Sequence, residues 1–119
     1  MIKKINFQSV PVTDQARALE FYTKQLGFSV FTDQRMGDMR WIELKVANAE
    51  TKLVLHLTPG HVPDENSPGV AFSADDVEKT YAELRERGVE FIQPPKKEPW
   101  GEYAIFLDSE GNRCLFAKG

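Results

Sequence analysis

Twice along this chain an aspartate stands before a helical stretch that a glycine ends: Asp14 with Gly27, then Asp76 with Gly88. The same order of elements surrounds each stretch, and no other feature restricts the fold as much. In the first half, residues 5–12 read as a strand, and Ala16, Leu19, Tyr22 and Leu26 follow at helical spacing. Residues 28–31 read as a short second strand, and Asp33-Gln34-Arg35-Met36-Gly37-Asp38 as a polar turn. Residues 40–46 alternate, with Ile42, Leu44 and Val46 on one face and Trp41, Glu43 and Lys45 on the other. Leu53, Leu55 and Leu57 alternate with Val54, His56 and Thr58 in a fourth strand.

Residues 59–68 carry three prolines, Gly60, Asn66 and Ser67, and read as a linker. The order then starts again. Residues 69–74 form a strand, and Asp75 or Asp76 caps a helix whose face is Val77, Tyr81 and Leu84. Glu78 lies three residues past Asp75, in capping-box position. Residues 89–92 give the next strand, 93–101 a loop rich in proline and lysine, and 102–107 with 112–117 a closing hairpin around Asp108-Ser109-Glu110-Gly111. Sliding one half over the other sets Asp14 on Asp76 and Gly27 on Gly88 with one residue of drift. A period of about 60 residues is longer than most solenoid repeats, and two copies are too few for a solenoid. The expectation is an α+β chain built from two βαβββ modules, residues 1–58 and 69–119, within a single domain. An ordinary α+β sandwich with chance similarity is the alternative.

Length and charge exclude several classes of function. The 119 residues suit one domain. Fifteen Lys and Arg against 18 Asp and Glu leave a net charge of −3, without the basic excess of a nucleic-acid-binding chain. No apolar run approaches the roughly 20 residues that span a bilayer. Lys3 and Lys4 are not followed by a long apolar segment, so a signal peptide is not expected and a cytoplasmic location is. Cys114 is the sole cysteine, which excludes an intrachain disulfide and a cysteine metal cluster.

Several blocks carry a family resemblance. Val12-x-Asp14, Ala18-x-x-Phe21-Tyr22 and Leu26-Gly27-Phe28 resemble the opening of the vicinal oxygen chelate superfamily, the glyoxalase/bleomycin-resistance/extradiol-dioxygenase group. Val70-Ala71-Phe72 leading to Asp75-Asp76-Val77, Leu84-x-x-x-Gly88-Val89, Trp100-Gly101 and Phe106-x-Asp108-x-x-Gly111-Asn112 extend the likeness across almost the whole chain. The resemblance implies curved sheets around a cleft with helices outside, and a homodimer. It does not imply one activity, because the superfamily hosts isomerases, dioxygenases, epimerases, thiol transferases and drug-sequestering proteins.

Metal-dependent members of that superfamily hold a divalent ion through one residue from each of four strands. The matching positions here are Phe7, His56, Gly69 and Leu115. Phenylalanine, glycine and leucine side chains offer no lone pair, so no metal site and no cofactor is expected. Loss of the ion would remove the Lewis acid on which isomerisation and extradiol cleavage depend.

By alternation, Ile5, Phe7, Ser9, Trp41, Glu43, Lys45, Val54, His56 and Thr58 share the inward face of the first module, with Arg113, Leu115 and Ala117 in the second. Phe7, Trp41 and Leu115, with Trp100 and Glu102 near the rim, form the candidate ligand-binding set, suited to an aromatic or cationic organic molecule. Glu43 and His56 form a candidate catalytic acid–base pair. Each also has a structural role open to it: packing for Trp41, a solvated strand face for Glu43, a hydrogen-bonded scaffold residue for His56. The expected function is metal-independent binding of a small molecule, resembling the bleomycin-resistance branch. A glyoxalase-like lyase or dioxygenase-like enzyme with atypical metal ligands, a metal-free isomerase, and a structural dimer are the alternatives.

Overall fold

The computed structural model describes all 119 residues. They form two compact units, Met1–His61 and Val62–Gly119. The first runs β1 (Phe7–Val12), α1 (Gln15–Glu20), a π-helical turn (Phe21–Gln25), β2 (Ser29–Met36), β3 (Met39–Lys45) and β4 (Lys52–Leu57). The second runs β5 (Val70–Ala74), α2 (Val77–Glu86), β6 (Glu90–Glu98), β7 (Gly101–Leu107) and β8 (Arg113–Lys118). Strand order is β1-β4-β3-β2 in one sheet and β5-β8-β7-β6 in the other, with the first pair of each parallel and the rest antiparallel. This is the duplicated βαβββ topology, in two open mixed sheets. No helix is long and apolar enough to cross a membrane.

Both helices start on the expected signal. The Asp14 carboxylate accepts from the Arg17 amide at 3.0 Å, and Asp76, not Asp75, accepts from the Lys79 amide at 3.0 Å. Gly27 and Gly88 follow with φ of 80° and 86°, a conformation that glycine adopts without steric cost.

The helices then diverge. After α1 the Leu26 amide donates to the Phe21 carbonyl, five residues back, at 3.2 Å. This wider turn lets two adjacent aromatics, Phe21 and Tyr22, both be buried. Tyr22 lies edge-on to Phe21 at 5.2 Å and stacked with Phe28 at 6.0 Å. The buried stripe of α1 is Gln15 and Ala18; Ala16, expected to face the core, is exposed. Beneath it lie Val10, Val12, Ile42, Leu44, Leu53 and Leu55. Each such side chain contributes roughly 1.5–3 kcal/mol on burial. Leu57, expected on the same face, sits at the strand end and is 44% exposed. In the second unit Val77, Leu84, Ala104, Phe106, Cys114 and Phe116 are buried together, and Tyr81 meets Phe91 edge-on at 4.7 Å.

Two expected loops are strands. Residues 33–36 continue β2, and only Gly37 and Asp38 turn the chain before Met39, which pairs with Met36. Gly37 has φ 63° and Asp38 does not have positive φ, the pattern of a type II′ turn. Likewise β6 continues to Glu98, and Pro99-Trp100 make a two-residue turn into Gly101. Pro94 and Pro95 fall where its register shifts, on an edge strand where missing amides cost little.

Candidate functional site

In the first unit one sheet face packs on α1, and the other carries most of the candidate residues. Strand pairing sets them in rows. Phe7, Lys52, Lys45 and Ser29 form one row; Ser9, Val54, Glu43 and Thr32 form the next. Beyond it lie Pro11 beside His56, and Trp41 beside Gln34. Phe7 and Trp41 reach toward each other across the middle row, ring centroids 5.6 Å apart and edge to face. Val54, in that row, is fully buried, while Phe7 remains 42% exposed. The Trp41 indole Nε1 donates to Glu43 Oε1 at 2.8 Å, which fixes the ring plane and uses its single donor.

Glu43 is therefore bonded to Trp41 and not to His56. The His56 imidazole is exposed and makes no hydrogen bond, so the expected acid–base pair is not assembled. Ile5, expected on this face, precedes the strand and is 67% exposed.

The second unit holds the rest. Leu115 stands between Ala71 and Ile105 on the open face of its sheet. Trp100, 65% exposed, stacks on Tyr103 with centroids 5.2 Å apart and an interplanar angle of 24°. Glu102 alternates to the other face, with buried Ala104, and so does not join Tyr103 and Leu115. Tyr103 went unnoticed in the sequence; its alternation with Ala104 and Phe106 is the signal that finds it.

The inner antiparallel pairs of the two sheets differ. β7 and β8 stay paired from Leu107–Arg113 through Phe106–Cys114, Ile105–Leu115 and Ala104–Phe116 to Tyr103–Ala117. β3 and β4 pair at Lys45–Lys52, Leu44–Leu53 and Glu43–Val54, and there the ladder stops. Ile42 and Trp41 part from Leu55 and His56, and the strands form a fork. The Gln15 side chain fills its root: Nε2 donates to the Arg40 carbonyl at 2.8 Å and to the Leu55 carbonyl at 2.9 Å. The residue after the second helix cap, in the place of Gln15, is Val77, which has no donor. A cavity of about 300 Å³ opens at the fork, between Met39, Trp41, Leu55, His56 and Leu57, with Asp38 and Arg40 as its charged residues. The Arg40 guanidinium is held by Asp33 through two bonds of 2.8 and 2.9 Å.

The positions that the resemblance matches to metal ligands can be compared between the two sheets by register. Leu115 pairs with Ala71, two residues past Gly69; two residues past Phe7 is Ser9, which pairs with Val54. Val54, not His56, thus occupies in the first sheet the place that Leu115 holds in the second. Phe7, Val54, Gly69 and Leu115 all lack a ligating side-chain atom. No three His, Cys, Asp or Glu residues are grouped where they would hold an ion.

Comparison with known proteins agrees with this architecture. A family model described as the Glyoxalase/Bleomycin resistance protein/Dioxygenase superfamily matches residues 4–116. Protein YurT of Bacillus subtilis (strain 168) is 37% identical over 119 residues, covering 92% of this chain and 94% of that one. TnmS3, an antibiotic binding protein from Streptomyces sp. CB03234, is 35% identical with a TM-score of 0.84, covering 98% of this chain and 96% of that one. UcmS2 is 29% identical with a TM-score of 0.88 over the whole of both chains.

Proposed function

This chain belongs to the Glyoxalase/Bleomycin resistance protein/Dioxygenase superfamily, and from that premise we propose that it binds a small organic molecule and holds it unchanged, without a metal. The observation that carries the reading is the Phe7–Trp41 pair on the open face of the first sheet. Two rings at right angles, one of them fixed by Glu43, offer a flat apolar contact at little cost in side-chain freedom. Sequestration needs affinity for the ground state only, so it makes no demand for an acid–base pair or a Lewis acid. The likeness to TnmS3, an antibiotic binding protein, supports an antibiotic or similar organic molecule as the ligand. The Trp100–Tyr103 stack gives the second unit an aromatic surface of its own.

A fluorescence titration tests the reading. The chain has two tryptophans, so a Trp100→Phe variant makes Trp41 the sole reporter. A planar polycyclic antibiotic is expected to quench it saturably, and Phe7→Ala in the same background to weaken binding about tenfold or more. Unchanged affinity in Phe7→Ala would remove the aromatic pair from the binding surface.

A further inference from the structure

The duplication supplies an internal control for the fork. Topology, helix N-caps and the register of the parallel pairs correspond in the two units, yet one inner ladder closes and the other stops short, with a buried glutamine at the root of the gap. Two carbonyls, of Arg40 and Leu55, take their hydrogen bonds from that side chain. An opening kept by a dedicated buried amide is a built feature of the sheet, because an unsupported gap there would leave both acceptors without protein donors.

The gap has a definite chemistry. Its volume, about 300 Å³, lies at the small end of the range for organic ligand sites. Met39, Leu55, Leu57 and the Trp41 ring make its walls apolar. Arg40 is neutralised by its bidentate pairing with Asp33, whereas the exposed Asp38 carboxylate has no side-chain hydrogen bond or ion pair. One uncompensated negative charge therefore stands at an apolar, partly aromatic slot. The geometry points to a subsite for a planar, positively charged aromatic group, an arylamidinium, entering between β3 and β4. In it the ring packs on Met39, Leu57 and Trp41, and the cation faces Asp38 with further attraction from the indole face. Gln15 is its positioning residue. The subsite rests on the reading that the chain binds small organic molecules, and it names which end of such a molecule goes where.

Benzamidine is the probe, with benzoate as its anionic counterpart, followed by backbone-amide NMR of the full chain. Benzamidine at up to about 20 mM is expected to shift the amides of Asp38–Trp41 and Leu55–Leu57, and benzoate to leave them in place. Asp38→Asn should weaken the benzamidine shifts about two- to fivefold. Gln15→Val, which installs the second unit's residue, should abolish them while the polycyclic ligand of the Trp41 titration still binds. A purely structural role for Gln15 would lose both ligands together. If Gln15→Val does not fold, Leu57→Lys, at an exposed strand end, carries the test by placing a cation in the slot. Absence of benzamidine shifts, equal response to benzoate, or shifts confined to Phe7, Ser9 and Val54 overturns the subsite. Failure of the polycyclic titration with benzamidine shifts intact overturns the larger reading and spares the fork.

Discussion

Asp33 and Arg40 show how one pair sets the charge of its surroundings. Their side chains are 30% and 19% exposed, and two hydrogen bonds from Arg40 hold the Asp33 carboxyl below its ordinary value of about 3.8, against the upward pull of burial. A depressed aspartate adds stability that is complete above the unfolded value and disappears as pH falls through the folded one. Asp33→Asn is therefore expected to cost up to about 1 kcal/mol in urea unfolding at pH 7 and almost nothing near pH 2; an equal cost at both would show that the pair acts through packing alone. It should also leave Arg40 unpaired beside Asp38. Period-2 alternation was enough to put Phe7, Trp41, Glu43 and His56 on one face. It could not say that Glu43 would bond to the indole two residues before it, because alternation fixes faces and not side-chain partners. Gln15 was legible only as a polar residue at the head of an apolar helical stripe.

At the level of elements, the two helix starts are equivalent: an extended aspartate accepting at 3.0 Å from the amide three residues on. Asp14→Ala and Asp76→Ala should each cost about 1 kcal/mol in urea unfolding. A cost at only one of them would mean that the second cap is replaced by another partner. Caps and glycine stops were readable because each depends on one residue type at one place. The edge strands were not. From Thr32 to Arg35 β2 is polar on both faces, after its bulge between Val30 and Thr32, so no alternation survives to mark residues 33–36 as strand. β6 carries two prolines at its second register shift, a signal for loop that an edge position overrides. The Gly37-Asp38 pair was the available hairpin signal, and it lay inside the segment read as one polar turn.

For the whole molecule, duplication supplied the topology and divergence supplied the candidate site. The strand order and the first bulge recur in the second unit, Val30/Thr32 in β2 corresponding to Phe91/Gln93 in β6, and β6 adds a shift between Gln93 and Lys96. What differs is chemical: an aromatic pair and a fork in one unit, a closed ladder with a Trp100–Tyr103 stack in the other. Phe7, Val54, Gly69 and Leu115 carry no ligating side-chain atom, and the proposed function rests on the aromatic face of the first sheet. Equilibrium dialysis of EDTA-treated protein against planar polycyclic ligands, with mass analysis of what is retained, tests that account most directly. It predicts about one ligand per chain, recovered at its original mass and retained equally before and after EDTA. A ligand of altered mass, or retention that appears only when a divalent metal is restored, would contradict it.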